Sequence, residues 1–211
     1  MAPRWPVGRR SAGAGVIVRL ALGFDGSDVD DWTAIRAETM DGYQFTPRYR
    51  IGDELFPTIW NPVEHGGRVP RSHVHAAVEQ LFAEHTILRF YCDPPDWKSV
   101  IESWALAYGE KTVIEWETGR VKQMHESLTR FVIDLQQGEI THDGCPFTAL
   151  HMANARKEPK PGLRYLLGKP HGAYHQKIDA AMASVLAHEA ACDATAAGDC
   201  VESDTRVILF G

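Results

Sequence analysis

A chain of 211 residues, 44% hydrophobic and 24% charged, is long enough for one domain with a substantial core and has the composition of a soluble globular protein. No apolar run reaches the length of a bilayer span and no segment has the layout of a secretion signal, so the chain is expected in the cytoplasm of the cell that makes it. A formal net charge of −6 argues against a dedicated high-affinity nucleic-acid binder, and four cysteines (Cys92, Cys145, Cys192, Cys200) without a CxxC pair suggest neither a disulfide framework nor a thiolate zinc site.

Residues 1–15 mix Pro, Gly and Arg without periodicity and read as a flexible leader. Gly8 to Gly13 has the glycine spacing of a phosphate loop, but Ala14 and Gly15 stand where Lys and Ser/Thr are required, so no ATP site is expected there. Val16 to Phe24 is a β-rich apolar run that ends on Asp25, Gly26 and Ser27, followed by Asp28, Asp30 and Asp31. A carboxylate beside a buried strand needs a partner, water or a metal, whereas Asp-Gly is also an ordinary turn pair. Trp32–Met40, the Asp41-Gly42 turn and Tyr43–Tyr49 continue the run as three consecutive antiparallel strands, and residues 51–69 read as loop.

From Pro70 the period becomes helical. Ser72 is the expected cap of a helix carrying Val74, Val78, Leu81 and Phe82 on one face. Thr86–Cys92 is a strand that runs into Asp93-Pro94-Pro95-Asp96, with Asp96 the expected cap of a helix over Trp97–Tyr108. A strand over Thr112–Trp116 and a long amphipathic helix from Gly119 to about Gly138 follow. Strand and helix now alternate, so the expected fold class is α/β, with parallel strands added to the antiparallel three-strand ribbon in one mixed sheet flanked by helices.

Ile140–Ala155 reads as a turn and short helix carrying His142, Asp143, His151 and Asn154. The stretch from Arg156 to Lys177 is the one local basic segment, and Gln176–Ala194 is a firm helix with Ile178, Met182, Val185 and Leu186 on its apolar side and Asp179 in its first turn. Apart from a candidate edge strand at Val207–Phe210 the end is polar, which divides the chain into a leader (1–15), a domain (16–195) and a tail (196–211).

Asp25, Asp93 and Asp179 are the acids best placed to converge: two at the ends of strands expected to be neighbours, one at the start of a helix able to cover the sheet. Hard divalent cations seek such oxygens, and paired ions serve phosphodiester hydrolysis. Competing arrangements are incomplete. His73 with His75, or His142 with Cys145 and His151, lack a full zinc set, and there is no GxSxG elbow for a serine hydrolase.

The blocks GFDGS (Gly23–Ser27), CDPPDW (Cys92–Trp97), HDG (His142–Gly144), HMANA (His151–Ala155) and KIDAAMASVLAHEA (Lys177–Ala190) together resemble the C-terminal nuclease domain of tailed-phage terminase large subunits, those of actinobacteriophages most of all. The resemblance implies a ribonuclease H-like fold and an acidic triad, Asp25, Asp93 and Asp179, that holds two Mg²⁺ or Mn²⁺ ions and cuts concatemeric DNA during packaging. It implies double-stranded DNA, the portal protein, the small terminase subunit and a separate packaging ATPase domain as partners. Asp25 is then the bridging ligand, Lys169 and Lys177 are candidate phosphate contacts, and Asp96 and Asp143 are capping or supporting groups. His142, His151 and Asn154 recur in the resemblance without a role beyond ordering the loop. The missing phosphate loop leaves a separately encoded nuclease half or a prophage remnant as origins. The alternatives are a resolvase- or transposase-type nuclease of the same fold and a catalytically silent fragment that binds DNA or portal.

Overall fold

In the computed structural model, which describes residues 17–173 and 175–199, the chain opens on an antiparallel meander of β1 (Arg19–Asp25), β2 (Thr33–Thr39) and β3 (Tyr43–Phe45). The expected leader, the strand start at Val16 and the edge strand at Val207–Phe210 lie outside the described residues. The Asp41-Gly42 turn joins β2 to β3 as expected. Gly42 sits at φ 81°, and a Cβ there would lie 2.1 Å from the Glu139 carbonyl oxygen, so only glycine fits.

The single strand expected over Tyr43–Tyr49 is instead two. Pro47 has no N–H to give a ladder, and its carbonyl is taken by the Thr58 N–H and hydroxyl. Beyond it β4 (Arg48–Ile51) leaves the sheet and pairs with β5 (Glu54–Pro57) in a separate hairpin. The segment expected to be loop therefore holds β5, β6 (Ile59–Trp60, paired with β2) and a 3₁₀ turn at Pro62–His65.

Helix α1 (Arg71–Glu84) starts one residue before the expected cap: Pro70 occupies the N-cap, with no side-chain cap hydrogen bond, so Ser72 is already helical. Strand β7 (Thr86–Cys92) then pairs in parallel with β1. Asp96 is not the cap of α2 (Lys98–Tyr108) either. It lies at φ 61°, its carbonyl accepts from Arg71 Nη2, and Trp97 holds the N-cap position. Strand β8 (Val113–Glu115) adds to β7 in parallel, and α3 (Val121–Gln137) ends at Gly138 as expected. A short β9 (Thr141–His142), unforeseen in the sequence, pairs in parallel with β3. Helix α4 (Pro146–Asn154) follows.

Within the basic segment, Arg156–Lys160 (β10) and Arg164–Gly168 (β11) form an antiparallel hairpin, to which the sequence pattern assigns no element. The last described element is α5 (Asp179–Ala196). The main sheet thus runs β8-β7-β1-β2-β3-β9, with β6 on β2.

Alternation along the strands sorts the side chains between two cores. Leu20, Leu22, Phe24, Ile35, Phe90 and Cys92 face α1 and α2 with Val74, Val78, Trp97 and Trp104. The opposite face receives α5, which meets Ala21 and Tyr91 through Leu186, Ala190 and Ala191. An apolar stripe on one side was expected for this helix. Instead every residue from Asp179 to Ala191 is buried, because α5 lies between the sheet and helices α3 and α4, and its many alanines permit close approach.

Candidate metal centre

The acids gather because a helix and a strand run past one another in opposite directions with matched steps. Gly23 has no side chain, and a Cβ there would lie 2.1 Å from the Ala183 carbonyl oxygen and 2.4 Å from the Ala187 nitrogen. Two residues onward along β1, roughly 6.6 Å, stands Asp25 on the same sheet face; one turn back along α5, roughly 6 Å, stands Asp179. The contact at Gly23 thereby carries both acids to the same end of the sheet. The neighbouring strand repeats the register: Ala34 packs with Ala180 and Ala183, the Arg36 Nε donates to Ser184 Oγ at 3.2 Å, and Glu38 meets His188 at 2.9 Å.

Asp93 arrives from the other side of β1. The parallel register sets Phe24 against Cys92, and the Asp93 N–H donates to the Phe24 carbonyl at 3.0 Å, leaving Asp25 and Asp93 side by side where the strands end. The Asp93 carboxylate is fixed by Thr118, whose N–H donates to Oδ1 at 3.0 Å and whose hydroxyl donates to Oδ2 at 2.9 Å.

This assembly opposes its own charge. Burial, then the fields of Asp179, Asp93 and Asp31, push the Asp25 pKa well above the carboxylate range, with Lys169 opposing. Asp179, 5% exposed, is pushed up to about 6 by burial and by Asp31, against the pull of its own backbone N–H, Lys169 and Lys177. Burial raises Asp93 too, moderated by the two Thr118 bonds. Asp179 Oδ2 is buried with no hydrogen-bond partner among the described residues, His151 Nδ1 standing 3.9 Å away, an arrangement that is costly unless something positive sits there. An all-oxygen donor set with a buried carboxylate oxygen that receives no hydrogen bond among the described residues suits a hard divalent cation.

Lys169 and Lys177 stand at this centre, but both are paired. The Lys177 ammonium donates to Asp31 Oδ1 at 2.7 Å, and Lys169 bonds the same oxygen. These bonds hold Asp31 below the usual carboxylate range even though burial opposes its charge. Asp31 is the acid that sequence reasoning passed over; its only signal was its place in the Asp28–Asp31 run.

The two histidine groupings considered for zinc do not gather among the described residues. His73 Nδ1 lies 3.2 Å from the Tyr49 hydroxyl, whereas His75 Nδ1 accepts from Trp104 Nε1 at 3.1 Å on another face of α1. The His142–Ala155 block instead supports the centre. His151, 1% exposed and edge-on to Trp32, accepts the Ala180 N–H on Nδ1 at 3.0 Å and so caps the start of α5 in place of a local side chain. Burial, then Lys169 and Lys177, lower its pKa to about 4, which keeps that nitrogen an acceptor. Asn154 Nδ2 donates to the Lys177 carbonyl at 2.9 Å, and Asp143 accepts from the N–H groups of Thr46 at 2.7 Å and Cys145 at 3.0 Å.

No protein-family model matches the chain. Two curated proteins, each called Gene 13 protein, from Mycobacterium phages D29 and L5, are 31% identical to it over 185 residues, or 83% of this chain. The match spans 29% of the D29 protein and 30% of the L5 protein, so the chain corresponds to under a third of these relatives. Among solved structures, the large terminase nuclease of thermophilic phage G20c, crystallised with bound magnesium, superposes with a TM-score of 0.59 at 12% identity, covering 88% of this chain and 90% of that one. The HK97 bacteriophage large terminase gives a TM-score of 0.59 at 17% identity over 82% of this chain and 39% of its own. For the Thermus phage P74-26 large terminase nuclease domain the values are 0.57, 13%, 87% and 88%. The chain is thus a relative of the mycobacteriophage Gene 13 proteins, with the ribonuclease H-like mixed-sheet fold of phage large terminase nuclease domains.

Proposed function

We propose that this chain is the nuclease part of a phage large terminase, a metal-dependent endonuclease that cuts concatemeric viral DNA as it is packaged. The observation that carries this reading is the buried Asp179 Oδ2, without a hydrogen-bond partner among the described residues, beside the raised carboxyl of Asp25 at the strand ends of a terminase-nuclease-like fold.

Asp25, subject to the fields of both other acids, would bridge two ions, with Asp93 and Asp179 holding one each. Mg²⁺ or Mn²⁺ there supplies an acidified attacking water and a counter-charge for the leaving oxygen. Thr118 aims the Asp93 carboxylate, and His151 fixes the first turn of α5 so that Asp179 keeps its place. Lys169 and Lys177, held by Asp31 in the free protein, are the cations a DNA phosphate would draw away. Arg156, Lys157 and Arg164 on the exposed hairpin would track the duplex backbone without reading bases. Double-stranded DNA is the substrate in this reading. The portal protein, the small terminase subunit and a separate packaging ATPase domain are the remaining partners.

Incubation of supercoiled plasmid with the purified chain tests this. Nicking should require Mg²⁺ or Mn²⁺ and vanish in Asp25→Asn and Asp179→Asn. Cleavage that survives either substitution removes the assigned site, and folded wild-type protein that binds DNA without cutting it identifies a silent binding fragment.

A further inference from the structure

A second cluster of metal-binding side chains lies along α5, away from the acidic centre. His188 is nine residues beyond Asp179, about 13 Å at the helical rise. Its Nε2 is 2.9 Å from Asp134 Oδ2 on α3 and 3.6 Å from the Sγ of Cys192, one turn further along α5. The three candidate ligand atoms all fall within 4.8 Å of one another, and this is the one such grouping found among the described residues. From these distances we infer that Asp134, His188 and Cys192 form a binding site for a thiophilic divalent cation of the zinc class, clamping α3 to α5.

Ligand spacing supports this assignment. Tetrahedral zinc with bonds of about 2.0 Å to N and O and about 2.3 Å to S separates N from S by roughly 3.6 Å and N from O by roughly 3.3 Å. The His188–Cys192 separation already has that value, and Asp134 needs to open by only a few tenths of an ångström. The surroundings also fit. His188 Nδ1 faces Glu38 Oε1 at 2.9 Å, and Glu38 Oε2 is itself held by Gln44 Nε2 at 2.7 Å, the carboxylate–histidine support typical of metal-bound imidazoles. Arg130 lies against Cys192. A surface groove lined by Arg130, Ile133 and Asp134 opens at the α3 side of the cluster. The donor set of S, N and one O selects a borderline-soft ion, in contrast to the all-oxygen set at Asp25, Asp93 and Asp179.

In the free protein the same space holds protons, His188 standing between two carboxylates. Metal entry exchanges the Nε2 proton and the Cys192 thiol proton for the ion. Cobalt(II) is the probe, added to the chelator-stripped full-length chain with excess Mg²⁺ present to occupy the acidic centre. One equivalent should bind with a thiolate-to-cobalt charge-transfer band that zinc bleaches. That band should persist in Asp25→Asn, disappear in Cys192→Ser, and need a higher cobalt concentration in Asp134→Asn. Circular dichroism establishes that each variant is folded. Absence of the band in folded wild type, or its survival in Cys192→Ser, overturns the assignment and leaves the cluster as a proton-holding network.

Discussion

The backbone of Ala183 touches β1 where Gly23 has no side chain: a Cβ at Gly23 would fall 2.1 Å from the Ala183 carbonyl oxygen. This one contact sets how near α5 lies to the sheet, and so how near Asp179 lies to Asp25. In Gly23→Ala the helix must lift, because the obstruction is backbone and cannot rotate away. Such overpacking typically costs about 1–3 kcal/mol. Urea denaturation should show a loss of that size together with reduced nicking. Gly119→Ala, at an exposed position where an added Cβ meets nothing within 4 Å, should change stability by under about 0.5 kcal/mol.

Asp25→Asn should abolish cleavage while stabilising the metal-free protein. The folded pKa of Asp25 is raised, so as pH climbs from the ordinary 3.8 towards that higher value the folded state keeps a proton that the unfolded chain has released, and stability falls. The melting temperature of the variant should therefore exceed that of metal-free wild type by an amount that grows with pH above about 4. Mg²⁺ should narrow the gap by neutralising the wild-type acids. A gap that shrinks as pH rises without metal would contradict the charge crowding described for Asp25.

Thr118→Val removes the hydroxyl that donates to Asp93 Oδ2 while preserving side-chain shape. Its backbone N–H remains, so the loss is chiefly the hydroxyl bond. Supporting groups of this kind typically change metal affinity by about 10–100-fold. The Mn²⁺ concentration for half-maximal nicking should rise within that range, with the melting temperature little altered, and Thr118→Ser should restore it.

His151→Ala leaves the Ala180 N–H at the start of α5 without its acceptor, at a cost of about 1–2 kcal/mol by analogy with lost caps. Because the folded pKa is lowered to about 4 from 6.5, the unfolded chain binds the extra proton between these values. This contribution is complete above pH 6.5 and fades as pH falls towards 4. The difference in unfolding free energy between wild type and His151→Ala should follow that course. A difference that grows on acidification would remove His151 as a neutral cap.

The order of elements was legible because it rests on local rules. Alternating apolar residues mark β1, Asp-Gly marks the turn into β3, and the 3.6-residue period marks α3. The errors share a cause in contacts distant along the chain. Pro47 ends a strand because Thr58 takes its carbonyl, Asp96 gives up its capping role while its carbonyl serves Arg71, and the basic hairpin forms by pairing the polar Arg156–Lys160 with a segment whose Tyr165, Leu166 and Leu167 pack on the α3 core.

By itself the sequence determined that three acids stand where strands end or a helix begins, since strand ends and helix starts follow from short-range pattern. Only the tertiary structure decided which other groups share their space. Asp31 binding both lysines, His151 capping α5 across the fold, and Cys192 meeting His188 and Asp134 all depend on α5 settling against the sheet at Gly23. Burial there removes the water that would otherwise screen these charges. The resulting fields set the protonation of the centre, and no local window of sequence contains them.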